Sequence, residues 1–152
     1  MRVGPLSASK IYSYSYWAKL GEGETTGDVT MEIIGLSSNY SEASSAVVTK
    51  DVDVKLSADE WKLVSGTFSV EDVKDQVMVK FTATEDVTFC LDDLRVGNTT
   101  EITYGDNIIL NPNFAEEDLS AWSMGLTKAT ISTGTAEEPI FDDVTTYGII
   151  DR

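Results

Sequence analysis

Residues 60–96 read EWKLVSGTFSVEDVKDQVMVKFTATEDVTFCLDDLRV. The passage is a succession of short period-two alternations, the signature of strands. Trp61, Leu63 and Ser65 begin the first on one face, with Phe68 and Val70 facing the other way. Gly66 between them offers a place for a bulge. Val77, Val79, Phe81 and Ala83 form the second, and Val87, Phe89 and Leu91 the third. The third then changes parity. Leu94 and Val96 lie out of step with Phe89 and Leu91, and Asp92 and Asp93 occupy the break. Two adjacent carboxylates at a parity shift are not ordinary strand residues, and they predict an irregularity there.

The same pattern continues outward. Upstream, KIYSYSYWAKL (10–20) places Tyr12, Tyr14, Tyr16, Ala18 and Leu20 on one face and Ile11, Ser13, Ser15, Trp17 and Lys19 on the other. A polar turn, Gly21-Glu22-Gly23-Glu24, follows. Val29, Met31 and Ile33 set a further strand, ending near Leu36. SSNYSEASS (37–45) is a polar loop with one aromatic, Tyr40, and residues 46–54 are again β-rich. Downstream, 97–106 reads as a linker. NIILNPNF (107–114) is β-rich, stopped by Pro112 and followed by the acidic AEED. Residues 126–132 form a weak strand and 145–150 another. No 3.6-residue period of helical length appears. The pattern predicts an all-β domain over 1–152, a β-sandwich or barrel.

Composition narrows the chemistry. The 152 residues suffice for one domain with its own core. Eleven Lys and Arg against 26 Asp and Glu give a net charge of −15. Such a surface repels a nucleic-acid backbone or an anionic membrane but not a neutral ligand. No apolar run approaches a membrane span. No basic n-region and apolar h-region open the chain. Histidine is absent, which removes Ser-His-Asp and Cys-His machinery and every His-based metal site. The single cysteine, Cys90, reads as a small buried residue in an apolar strand. Carboxylates remain, both for glycoside hydrolysis and as ligands for a hard cation.

Four segments together resemble carbohydrate-binding modules of the family 4/9/22 type, the xylanase-associated β-sandwiches. IYSYSYWAKL resembles that family's aromatic, alternating strand, EWKLVSGTFSV its Trp-led strand, FCLDDLRV its closing strand and NIILNPNFAEEDLSAW its opening one. The resemblance implies a jelly-roll, galactose-binding-like sandwich of two antiparallel sheets. Their order departs from the family, because the closing segment precedes the opening one. Reading 107–152 and then 1–104 restores it. The chain is therefore expected to be circularly permuted or cut from a tandem array, with 1–96 the central and closing strands, 97–106 the linker and 107–152 the opening strands. Residues 107–114 are then expected near the closing strand, and Met1 near Arg152.

The resemblance implies binding rather than hydrolysis. The expected ligand is a soluble β-1,4-linked plant cell-wall polysaccharide, xylan first and β-glucan next, held in a cleft across one sheet. Sugar C–H faces lie on aromatic rings while hydroxyls need polar partners. Tyr40 stands near the family's cleft aromatic. Trp17, on the polar face of its strand, either stacks on sugar or covers an edge of the core. Lys80 and Thr82 fall near the family's polar cleft residues, and Arg152 and Arg2 flank the break in the chain. Trp61 and Trp122 match tryptophans that fill the core. The resemblance also implies a structural calcium, with Asp92, Asp93 and Glu116 as ligands. It further implies a catalytic glycoside hydrolase domain in the parent chain and a secreted or cell-surface location. Two other readings remain: a glycosidase using two carboxylates, and a structural or adhesive sandwich of a cell-surface protein without a sugar cleft.

Overall fold

The computed structural model describes residues 2–3, 5–36, 46–83, 87–98, 130–138, 140 and 145–151. These form nine strands and no helix: β1 (Arg2–Val3), β2 (Ile11–Leu20), β3 (Asp28–Leu36), β4 (Ala46–Lys55), β5 (Lys62–Ser69), β6 (Gln76–Ala83), β7 (Phe89–Asn98), β8 (Thr130–Thr135) and β9 (Thr146–Asp151). They make a four-stranded sheet, β1-β6-β3-β4, and a five-stranded sheet, β5-β2-β7-β9-β8. Every pairing is antiparallel. The all-β sandwich expected from the sequence is the fold observed.

Period two explains why these sheets pack face to face. Tyr12, Tyr14, Tyr16, Ala18 and Leu20 of β2 are buried, while the residues between them are not. Val29, Met31 and Ile33 of β3 and Val77, Val79 and Ala83 of β6 fill the other side of the same core. Each buried Val, Ile or Met among them contributes about 1.5–3 kcal/mol. Aromatic pairs fix the core more specifically. Tyr12 stacks on Phe68 at 5.5 Å within one sheet. Tyr16 meets Phe81 of the other sheet edge to face at 5.1 Å and 80°.

The parity break at Asp92 and Asp93 is a β-bulge. Between Ser15 and Trp17 the chain of β2 advances two residues while β7 advances from Arg95 to Asp92. The additional residue allows Leu91 and Leu94 both to reach the core, with Asp92 and Asp93 between them also buried. Asp93 takes the left-handed conformation, φ 45°, uncommon outside glycine though tolerated by Asp.

Gly66 differs from expectation. The β2–β5 register runs unbroken from Ile11↔Ser69 to Ala18↔Lys62, with Tyr14 opposite Gly66. There is no bulge. The glycine instead makes room for the Tyr14 ring, since a Cβ there would stand 2.7 Å from Tyr14 Cζ. Trp61 also departs from its expected role. It is half-buried, not a core residue, because it shares the outward parity of Leu63 and Ser65 just ahead of β5.

The hairpin β8–β9, drawn from residues 107–152, joins the five-stranded sheet through β9, which pairs with the closing strand β7: Phe89↔Ile150, Cys90↔Ile149, Leu91↔Gly148. Residues 107–114, Met1 and Arg152 lie outside the described residues. Strand β7 continues through Asn98, into the expected linker.

Candidate functional site

The sandwich has two outer faces, and the residues singled out in the sequence divide between them. Lys80 and Thr82 lie on the outside of β6, between the inward Val79, Phe81 and Ala83. In register, Lys80 faces Glu32 of β3 and Thr82 faces Thr30. Lys80 Nζ lies 3.6 Å from Glu32 Oε2. One row further on, Met78 faces Ile34, and Ile34 faces Val47 of β4, which is 51% exposed. An apolar strip, with Val47 exposed, Met78 half-buried and Ile34 between them buried, therefore crosses three strands beside a row of charge and a row of hydroxyls. Arg2 of β1 is paired with Met78 at the same register position. Tyr40 lies in the connection between β3 and β4, outside the described residues, as does Arg152.

Trp17 is on the opposite side of the molecule. It belongs to the outer face of the five-stranded sheet, paired with Leu63 on β5 and Asp92 on β7. It does not share a surface with Lys80 and Thr82. Alternation along a strand shows which residues share a face, but not which of two sheets that strand joins.

Of the expected metal ligands, Asp92 has the character of one. It is fully buried. Its Oδ1 accepts the Asp93 backbone N–H at 2.7 Å, and its Oδ2 has no hydrogen-bond partner. Burial pushes its pKa up to about 7, the Asp93 N–H opposing this and the Asp93 charge adding to it. A buried carboxylate oxygen without a donor is what a hard cation satisfies. Asp93 is committed differently: Arg95 Nε donates to its carboxylate at 2.8 Å. Glu116 lies outside the described residues. Among the described residues no group of three or more His, Cys, Asp or Glu is placed to hold a metal. Cys90 is buried, as expected, and burial raises its thiol pKa.

Sequence reasoning passed over one cluster. Trp61 meets Tyr147 of β9 edge to face, ring centroids 5.4 Å apart at 73°. Lys19 Nζ lies 5.4 Å from the Trp61 centroid and 5.9 Å from that of Tyr147. The available signal was parity: Lys19 shares the face of Trp17, and Tyr147 that of Ile149, away from the core.

No family model matches the chain, and no curated protein does. Among solved structures, the CBM22-1 xylan-binding domain from Paenibacillus barcinonensis Xyn10C superposes with a TM-score of 0.50 at 14% identity, over 63% of this chain and 60% of that one. This chain shares the fold of that xylan-binding domain. The N-terminal CBM22-1-CBM22-2 tandem domain of the same protein gives a TM-score of 0.48 at 12% identity, over 86% of this chain and 39% of that one. The chain therefore spans less than two thirds of the length of either.

Proposed function

We propose that this chain is a non-catalytic carbohydrate-binding module that holds a soluble β-1,4-linked polysaccharide, xylan first and β-glucan next, across the outer face of the four-stranded sheet. The observation that carries the proposal is the Lys80–Glu32 and Thr82–Thr30 rows beside an apolar strip whose accessible members are Met78 and the exposed Val47, with Ile34 buried between them. Sugar C–H faces suit the strip, and sugar hydroxyls suit the polar rows. The shared fold supports the reading by analogy, which is weaker support than the site itself. Tyr40 is assigned the stacking role, and Arg2 and Arg152 contacts at the margin. The parent protein is proposed to be a secreted or cell-surface glycoside hydrolase that the module brings to its substrate.

Hydrolysis by this chain is disfavoured. Asp92 has the raised pKa of a general acid, but it is fully buried and reaches no substrate. Calcium is proposed as a structural ion held by Asp92 with Glu116 or its neighbours. The residue pattern supports this through the orphaned Asp92 oxygen, and Asp93 takes part less directly than the sequence implies. The adhesive-sandwich reading predicts no glycan binding at all.

The test is a fluorescence titration with soluble xylan, β-glucan and mannan, repeated with Tyr40→Ala and the Lys80→Ala/Thr82→Ala pair. The proposal expects saturable binding of xylan that both changes weaken about tenfold, or about 1.4 kcal/mol. Binding untouched by either change would move the site elsewhere.

A further inference from the structure

The four-stranded face presents no aromatic ring among the described residues, whereas the opposite face presents three. Two rows cross the outside of the five-stranded sheet. In one, the exposed Leu63, the half-buried Trp17 and the fully buried Asp92 stand side by side on β5, β2 and β7. In the next, Lys19, Cys90 and Ile149 do so on β2, β7 and β9. Trp61 enters over these rows from ahead of β5 and Tyr147 from β9. Their rings form a corner around the Lys19 ammonium. Gly134 of β8, opposite Tyr147, makes room for that ring, because a Cβ there would stand 2.7 Å from Tyr147 Cζ. Burial raises the Tyr147 pKa, so its hydroxyl stays protonated and available as a donor.

Beside the corner lies a cleft of about 380 Å³, lined by Lys19, Glu22, Asp59, Thr88, Tyr147 and Ile149 among others, with Trp61 adjoining it through Lys19 and Tyr147 rather than lining it. Its lining selects by charge. Glu22, Asp59 and a net charge of −15 oppose an anion. Lys19 already lies near both rings, where a cationic ligand would need to be. A neutral ligand with C–H faces and several hydroxyls meets an aromatic ring, a hydroxyl, an ammonium donor and carboxylate acceptors. The volume is at the small end of ligand clefts, roughly 300–1,000 Å³, and suits a short stretch of a chain.

We propose that this corner, built by Trp61, Tyr147 and Lys19 with Glu22, Asp59 and Thr88 at its rim, is a second glycan site, so that the module binds polysaccharide on both outer faces. The ligand class rests on the carbohydrate-binding reading above; the location rests on the rings and the cleft. Because the faces point away from each other across the core, two separate chains would be engaged. The module would then bridge polysaccharides, with a gain from multivalency on a network.

Calorimetric titration of the full chain with xylohexaose, and separately cellohexaose, counts the sites. The expected result is two per chain. Trp61→Ala weakens one about tenfold, equivalent to about 1.4 kcal/mol, and spares the other, while the Lys80→Ala/Thr82→Ala pair does the converse. In the unaltered protein the Trp61 indole N–H resonance shifts during the titration, a readout independent of any variant's folding. One site removed by the Lys80→Ala/Thr82→Ala pair, with the Trp61 resonance unmoved, overturns the second site and leaves the module reading intact. One site sensitive to Trp61→Ala alone supports the corner and overturns the four-stranded face. No binding of either oligosaccharide overturns both.

Discussion

The Asp92 carboxylate is fully buried with one oxygen unpartnered, a state that costs about 1–3 kcal/mol or more. Calcium bound there would remove that cost. Asp92→Asn keeps an acceptor for the Asp93 N–H and removes the charge. The expected outcome is that calcium raises the thermal midpoint of the unaltered protein over its EDTA-treated form. The Asp92→Asn protein should unfold at the same temperature in both buffers, and later than the unaltered protein in EDTA. Equal midpoints for the unaltered protein with and without calcium would remove the ion from the account. This residue was legible in the sequence, because a parity shift between Leu91 and Leu94 leaves two residues that cannot both alternate. Its neighbour's tie to Arg95 was not legible, since it depends on how the bulge aims a side chain.

Tyrosine hydroxyls in the core give a second residue-scale test. Burial, with the hydrogen bond and charge of Asp51, raises Tyr14 to about 12 from 10.0, against a smaller opposing contribution from Thr49. Burial raises Tyr16 further still. Between these values the folded protein holds protons that the unfolded chain has released. Stability is therefore fully present below pH 10 and is lost as pH rises toward 12. Ultraviolet titration should show tyrosinate appearing in two groups, the later one coinciding with loss of β-sheet circular dichroism. A single group near the ordinary tyrosine value would contradict this.

At the scale of single elements, β5 shows where sequence reading works and where it stops. That Leu63 and Phe68 face opposite ways was legible from period two, but which of the two faces the core was not, and placing Trp61 in the core pointed to the wrong one. The function of Gly66 was not legible either, because it depends on Tyr14 of a different strand. Gly66→Ala should force the Tyr14 ring to move and cost about 1–3 kcal/mol in urea unfolding, typical of overpacking. An unchanged unfolding midpoint would show that the ring yields freely. The same limit explains Trp17 and Lys80. Each was correctly placed on an outward face, but strand pairing, set by contacts distant in sequence, puts those faces on opposite sheets.

At the scale of the whole molecule, β9 pairs with the closing strand β7 within one chain. The expected neighbour of the closing strand was 107–114, which lies outside the described residues; β9 shows only that 107–152 contributes a hairpin to the same sheet. A reordered chain, with 107–152 placed ahead of 1–106, should fold to the same sheets. Its amide resonances in β2, β3, β6 and β7 should match those of the natural order. Failure of the reordered chain to fold as a monomer would favour segment exchange between chains.

The account rests on one claim above the others, that the sandwich binds neutral β-linked polysaccharide. Electrophoresis of the native protein through gels containing soluble xylan, β-glucan or mannan tests it directly. The account predicts marked retardation in xylan, less in β-glucan, and none in a gel without polysaccharide. Equal mobility in all of the gels would contradict it.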